Sequence, residues 1–348
     1  MTASYPPRLL AERCTALLTA LGVAPDDARQ TVDVFLQAEQ MGEESHGLRL
    51  FEKVLHRVKA GGDKATAGAD VVSAKGAIAL LDAHQGLGQV AAAQAMRLAM
   101  DKAHDFGIGM VTVRNANSFT SAKYYPLMAA QAGMVGIAYT NTSRKMLPPP
   151  GGVKPVLGNN PAAYAAPAPG GAFVLDFACT EAAAERIVKA KERGEPIPEG
   201  WALDSEGRET TDPAEALKSL AFLPFGGYKA FGLAMVHEIM TSVIAGGPLM
   251  AGEAKGFAPY DAPMNTAFTL IAIDIAAFIP RAEFEARMGE MIAAIKASPL
   301  REGASEIRYP GERSARAFEA NAAAIPVDPA TIALLDDWAR QLDLPTLV

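Results

Sequence analysis

The chain is short of the residues that most often announce a function. Of its 348 residues only two are cysteine, Cys14 and Cys179, far apart in sequence, so no disulfide framework can be drawn. Both read as buried thiols in a reducing compartment. The five histidines (His46, His56, His84, His104 and His237) share no zinc-type spacing, so no metal is expected. Lysine and arginine form no cluster, and the net charge is -7, which argues against nucleic acid as a partner. No apolar run reaches the ~18 residues of a membrane span. The first residues also lack the charged-then-apolar pattern of a secretory leader, so no membrane partner is expected and the chain reads as cytoplasmic. Internal repeats and low-complexity tracts are missing too. The balance, 50% hydrophobic and 20% charged, is that of a globular protein with a large core, in two domains or one large one.

What the chain does have is alternation of helix and strand. Residues 8 to 60 read as three helices, with a stripe of Leu9, Leu10, Cys14, Leu17, Leu18 and Leu21 on the first. Short strands are expected at Val71–Val72 and Ala77–Leu81, then a helix over Gln89–Phe106 stopped at Gly107. Strands follow at Ile108–Val113, Val135–Thr140, Phe173–Leu175 and Phe268–Asp274. Helices are expected at Ala122–Ala132, Ala182–Lys191, Phe231–Ile244, Ala282–Ala297, Arg313–Ala323 and Pro329–Leu342. Pro148 to Pro169, rich in Pro, Gly and Asn, reads as largely irregular, and residues 194 to 228 carry many turn signals. The class is α/β.

One stretch suggests chemistry directly. Ser45-His46-Gly47 follows the acidic pair Glu43-Glu44 and precedes an amphipathic run of Leu48, Phe51, Leu55 and Val58, ended by Gly61-Gly62. Ser45 reads as a helix N-cap and His46 as the first helical residue. At the positive end of a helix dipole the imidazole is held neutral and can exchange a proton near pH 7. The same end attracts an anion, and Arg49 could pair with a carboxylate. A proton donor beside a carboxylate receptor suits a small 2-oxo acid or its reduced form; the alternative is an ordinary cap with a histidine in the first turn.

Gly86-Leu87-Gly88-Gln89-Val90-Ala91 fits the dinucleotide fingerprint G-x-G-x-x-A, with a strand before it and a helix behind. Arg114, after the next strand, stands where a residue could favour a 2′-phosphate. Four residues, Asp82 to Gln85, separate the strand from Gly86, however, whereas the fingerprint needs its turn at the strand end. A glycine-rich helix entry used for packing is the better reading.

An ordered set of motifs covers nearly the whole chain. It comprises Ser45-His46-Gly47, Asp82 with Gly86-Leu87-Gly88-Gln89, Gly107-Ile108-Gly109, Arg114-Asn115-Ala116-Asn117, Leu157-Gly158 with Asn160-Pro161, and Val174-Leu175-Asp176. It continues with Ile197 to Asp204, Thr211-Asp212-Pro213, Leu223 to Lys229 and Pro310-Gly311-Glu312-Arg313. In this set the chain resembles the type-2 malate/L-lactate dehydrogenase family, with its ureidoglycolate, 2,3-diketogulonate, sulfolactate and piperideine-2-carboxylate branches. The resemblance implies hydride transfer between NAD or NADP and a small 2-oxo/2-hydroxy acid, in a homodimer. It implies a non-Rossmann NAD(P)-binding mixed-sheet domain (residues 66-299) and a helical domain built from both termini (1-65 and 300-348). His46 would donate the proton in reduction, supported by Ser45. Cofactor contacts map onto Ser118, Phe119, Thr120 and Ser121, onto Asp176, Phe177 and Ala178, onto Tyr228 and Lys229, and onto Gly311, Glu312 and Arg313. Arg49 and Asn159 fall to a small-molecule carboxylate substrate.

The chain departs from the family pattern around the substrate. Asn117-Ser118-Phe119-Thr120 stands where many members have Asn-His-Phe-Gly, Leu50 stands at the usual carboxylate-binding arginine, and Asn159 replaces a threonine. Ser118 can hydrogen-bond but cannot act as an acid at neutral pH. Two alternatives follow: a cyclic imine acid as substrate, with Arg186 where the imine reductases of the family have an assisting acid, and a cofactor-binding protein without catalytic activity.

Overall fold

The computed structural model describes residues 3–43, 45–66, 68–249 and 259–348. From the N-terminal side, β1 (Ala3–Tyr5) leads into helices α1 (Pro7–Ala20), α2 (Pro25–Gln40) and α3 (Leu48–Ala60). β2 (Asp70–Lys75), β3 (Ile78–Asp82), α4 (Gly88–Phe106), β4 (Ile108–Ala116), α5 (Tyr124–Gln131) and β5 (Met134–Thr140) follow, then the hairpin of β6 (Ala162–Ala168) and β7 (Gly171–Phe177). α6 (Ala184–Arg193), β8 (Ala202–Leu203), α7 (Pro213–Ser219) and β9 (Ala221–Phe222) form a small excursion, β8 pairing with β9. α8 (Tyr228–Glu238) runs on into a π-helical turn, Ile239–Val243. Next come β10 (Thr266–Asp274), α9 (Arg281–Lys296), α10 (Glu312–Ala320), β11 (Ile325–Val327) and α11 (Pro329–Gln341).

The centre is a seven-stranded mixed sheet in the order β2-β3-β4-β10-β5-β6-β7. Only β3 and β4 run parallel; every other neighbouring pair is antiparallel. Side chains alternate across β10: Phe268 and Leu270 enter the core beneath α4 and α5, whereas Thr269 donates to Met240 O (2.5 Å) under the π-helical turn. The centre of the sheet, at β10, is therefore covered on both faces. α4 can lie close because its inner face is almost all alanine and because Gly109 on β4 carries no Cβ, which would overlap the Ala99 carbonyl.

A second core gathers α1, α2, α3, β11 and α11 around Phe35, Phe51, Leu55 and Trp338. α3 shows the local logic. Leu48, Phe51, Leu55 and Val58 recur on one face and are buried, each worth ~1.5–3 kcal/mol relative to exposure. Arg57 and Lys59 lie in the last turn, and Gly61 ends the helix at φ 88°.

The stretch expected to be irregular, Pro148 to Pro169, contains β6, buried along most of its length. Its Ala-rich sequence has no polar alternation, because both faces are covered. Pro167 is accommodated opposite Ala172, next to the hairpin turn. The helix expected from Phe231 starts instead at Tyr228, and its final turn is π-helical.

Candidate active site

His46 lies in the tight turn between α2 and α3, not in the helix. Its backbone N–H donates to Glu43 O (2.9 Å), and the first helical residue is Leu48, with Gly47 as N-cap. The expected capping role of Ser45 is therefore corrected: α3 is capped from α2, where the Glu39 carboxylate accepts from Leu48 N (2.7 Å). That carboxylate fills the space a side chain on residue 47 would need, so Gly47 is a packing requirement. Ser45 Oγ instead lies 2.9 Å from His46 Nδ1. Which atom donates depends on the tautomer: Nδ1–H donates to Ser45 Oγ in the protonated ring and in the neutral tautomer that leaves Nε2 free to accept a proton. Glu44, part of the acidic pair, lies outside the described residues.

One segment distant in sequence acts on this histidine, and two more join it through Lys123. Asp176 near the end of β7 interacts electrostatically with both His46 and Lys123, and accepts from Lys123 N (3.3 Å). Lys123, just before α5, is buried; its ammonium pairs with Glu43 and donates to Ser314 Oγ (3.3 Å) on α10. Desolvation by surrounding protein lowers the His46 pKa, with Asp176 opposing the shift. Burial raises the Asp176 carboxyl, against the pull of Lys123 and His46. Burial likewise brings Lys123 down to about 8, opposed by Asp176 and helped by Arg313. His46 and Asp176 nevertheless keep solvent-accessible surface. Groups hemmed in by protein yet reachable by water mark a cleft, and a carboxylate and an imidazole there can hold and pass a proton.

The other singled-out residues divide. Phe119 is core, stacked on Tyr125 and Phe268, so only its backbone can face a ligand. Ser118 is exposed, Ser121 is buried, and Thr120 accepts from Gln89 Nε2 (2.7 Å). Phe177 packs against Tyr164 and Phe225, beside the half-buried Ala178. Gly311 lies against β7 where a Cβ would crowd Val174, which sets Arg313 near Lys123. Glu312 turns away into a pairing with Lys296 and Arg316. Tyr228 and Lys229 are exposed on the first turn of α8, whose N-cap Gly227 (φ 64°) offers no side-chain cap. Arg49 and Asn159 are not brought together by any described contact: Arg49 lies 4.0 Å from Glu185, whereas the Asn159 carbonyl accepts from Cys179 N (2.8 Å). Arg186 lies over the Trp201 ring.

The glycine loop is filled by protein. Ala83 N donates to Arg114 O and Gln85 N to Asn115 O, while Asn117 Nδ2 donates to the carbonyls of Gln85 and Gly86. A Cβ at Gly88 would overlap the Asn117 and Ser118 carbonyls, and Arg114 is paired with Asp82 (3.1 Å). Packing accounts for the motif. Lys123 escaped sequence reasoning. Its one available signal was a charged residue flanked by Ser121-Ala122 and Tyr124-Tyr125 at the start of an apolar helix.

With that geometry in view, comparison with known proteins places the chain. The family model described as malate/L-lactate dehydrogenase matches residues 6–336. A malate dehydrogenase of Pyrococcus abyssi is 35% identical over 95% of this chain and 92% of its own length. A (2R)-3-sulfolactate dehydrogenase (NADP(+)) of Chromohalobacter salexigens is 34% identical over 76% of this chain and 78% of its own. The solved sulfolactate dehydrogenase of Methanocaldococcus jannaschii superposes with a TM-score of 0.91 at 35% identity, covering 98% of each chain. The chain belongs to the malate/L-lactate dehydrogenase family. It is an NAD(P)-dependent oxidoreductase of small hydroxy and oxo acids, which sets aside the reading of a cofactor-binding protein without activity.

Proposed function

We propose that the enzyme interconverts a 2-oxo acid and its 2-hydroxy acid, with His46 as the proton donor in reduction and acceptor in oxidation. The placement of Asp176 within electrostatic reach of a His46 that keeps accessible surface carries this reading. The cofactor, NAD or NADP, supplies or accepts the hydride. As negative charge builds on the substrate oxygen, protonated His46 delivers its proton, and Asp176 stabilises the imidazolium that must form first. Ser45, through Nδ1, fixes the ring so that Nε2 is the atom that faces substrate. Arg49 and Asn159 are assigned to the substrate, as positions beside the His46 turn and the end of β7.

For the cofactor, the exposed Lys229 and the first turn of α8, which has no side-chain cap, fit a phosphate, since a helix N-terminus and a lysine both favour an anion. The Ser118–Ser121 loop, Asp176–Ala178 and Gly311–Arg313 line the remainder of the path. Binding outside any Rossmann-type loop is supported by the filled glycine loop and by a sheet with a single parallel pair. We assign residues 1-65 and 300-348 to a helical domain and 66-299 to the cofactor- and substrate-binding domain; the shared core of α1, α2, α3 and α11 supports the former. A cytoplasmic homodimer completes the proposal. No helix among the described residues is long and apolar enough to cross a membrane. Met235, Val236, Ile239 and Val243 leave an apolar face for a second copy.

NADH and NADPH oxidation with pyruvate, oxaloacetate and piperideine-2-carboxylate tests the reaction. Turnover of an oxo acid that disappears in His46→Ala is expected, and preference for the imine overturns the substrate class. Light scattering at about twice the monomer mass checks the dimer.

A further inference from the structure

Resting on the hydride-transfer reading above, we infer that the substrate carries a bulky apolar side chain. It is a 2-oxo or 2-hydroxy acid with a branched aliphatic or aromatic substituent, seated in a cavity of about 390 Å³ between α3 and the Ser118–Thr120 loop. Two of its walls come from segments that also carry the reacting groups. Leu50 stands in the first turn of α3, its N–H donating to Gly47 O (2.9 Å), four residues after His46. On the other side Ser118 and Thr120 lead directly to Lys123, whose N–H reaches Asp176.

The walls that face the cavity are Leu50 and Val54 on α3, and Pro259, Tyr260 and Met264 opposite. The charged groups that share the lining are already engaged. Arg57 is buried and donates through Nε to Asp63 (2.8 Å), through Nη1 to Pro259 O (3.2 Å), and through Nη2 to Asn117 Oδ1 (3.2 Å) and Ala262 O (2.9 Å). Every nitrogen of the guanidinium is thus directed at protein, and Asp63 matches its charge. Gln89 donates to Thr120, and its buried Oε1, which has no hydrogen-bond partner, carries no charge to offer an anion. Lys53 is exposed at the rim and has an interaction of its own. Arg49 turns toward Glu185, away from the cavity.

A second carboxylate or a sulfonate placed here would lose its hydration and meet no uncommitted cation among the described residues. An isobutyl or benzyl group would lose only unfavourable contact with water, and the volume lies within the range of small-ligand pockets. The carboxylate common to all 2-oxo acids must then bind on the His46 side of the substrate, leaving the cavity to the substituent. The same lining that repels a charge discriminates by size, each matched methylene changing kcat/KM by roughly 10-fold or more.

The test measures kcat/KM with NADH and NADPH for 4-methyl-2-oxopentanoate, phenylpyruvate, pyruvate, oxaloacetate and 3-sulfopyruvate. In parallel, calorimetric titration compares 4-methyl-2-hydroxypentanoate with malate. The apolar acids are expected to exceed pyruvate and oxaloacetate by at least about 10-fold. Leu50→Arg should reverse the order between 4-methyl-2-oxopentanoate and oxaloacetate, and Leu50→Gln, a gentler change, should narrow it. Binding of the apolar hydroxy acid should show a negative heat-capacity change that malate lacks. Preference for oxaloacetate or 3-sulfopyruvate, with Leu50→Arg leaving it unaltered, overturns the cavity assignment while hydride transfer stands. Absence of turnover with every oxo acid overturns the proposed reaction instead, and calorimetry then decides the cavity separately: malate bound as tightly as the apolar acid refutes it.

Discussion

Two helix entries in this chain look alike and do opposite things. The turn before α3 and the loop before α4 each place a glycine where a side chain would collide with protein, Gly47 against the Glu39 carboxylate and Gly88 against the Asn117 and Ser118 carbonyls. At α4 the surrounding backbone closes completely. Residues 83 to 86 hydrogen-bond to the end of β4, and Asn117 fastens the loop. At α3 the glycine admits only a capping carboxylate, and the residue before it, His46, keeps accessible surface beside Asp176. A glycine motif therefore reports close approach, and what approaches decides whether the result is packing or a site.

His46→Ala breaks this comparison with the largest effect. Steady-state assays should show the rate reduced by roughly 10²–10⁴, with NAD(P)H affinity from fluorescence titration nearly unchanged, since proton transfer is lost and cofactor contacts remain. Near-normal turnover would move the proton donor elsewhere in the cleft.

Gly88→Ala tests the other entry. Overlap with two backbone carbonyls cannot be relieved by a rotamer change, so urea denaturation should reveal a loss of about 3 kcal/mol or more, which would be an overpacking effect. A mild loss of stability with a selective loss of cofactor binding would restore the nucleotide-loop reading.

The pH profile sharpens the contrast more finely. His46 has its pKa lowered by burial, so it is largely neutral at pH 7 in the free enzyme. Reduction draws on the protonated ring, and its kcat/KM should fall as pH rises through a value below the usual ~6.5. Oxidation draws on the neutral ring and should rise over the same interval. Profiles that stay the same in His46→Gln would exclude this group as the titrating one.

The smallest effect belongs to Arg114. Because it is paired with Asp82, Arg114→Ala should leave the ratio of NADPH to NADH efficiency within about twofold, a change at the level of a surface ion pair. A tenfold swing toward NADH would assign it to a 2′-phosphate.

Much of the fold was legible because it is written locally. The stripe on α3, Pro25 and the acidic first turn of α2, and the glycine stop after α4 each carry a helix signal within a few residues. β6 was not legible, since a strand covered on both faces loses its alternation and Pro167 reads as a breaker until Ala172 is seen across the hairpin. His46 could be found from its turn, although the tertiary influences on its pKa could not: surrounding protein from other segments lowers it and Asp176, 130 residues away, opposes the shift. Lys123 could not be found at all. Its meaning depends on Glu43, Asp176 and Ser314, which lie up to 191 residues from it.

By itself the sequence determined the α/β class, the order of most elements, the absence of a cysteine framework, and the motif set that marks the family, because each depends on residue identity or short spacing. Only the tertiary structure decided which glycines serve packing, which way Arg49 and Leu50 face, and that His46, Asp176 and Lys123 share one cleft. Adjacent positions on a helix lie about 100° apart, and desolvation is set by everything that packs around a group. Neither quantity exists until the chain has folded.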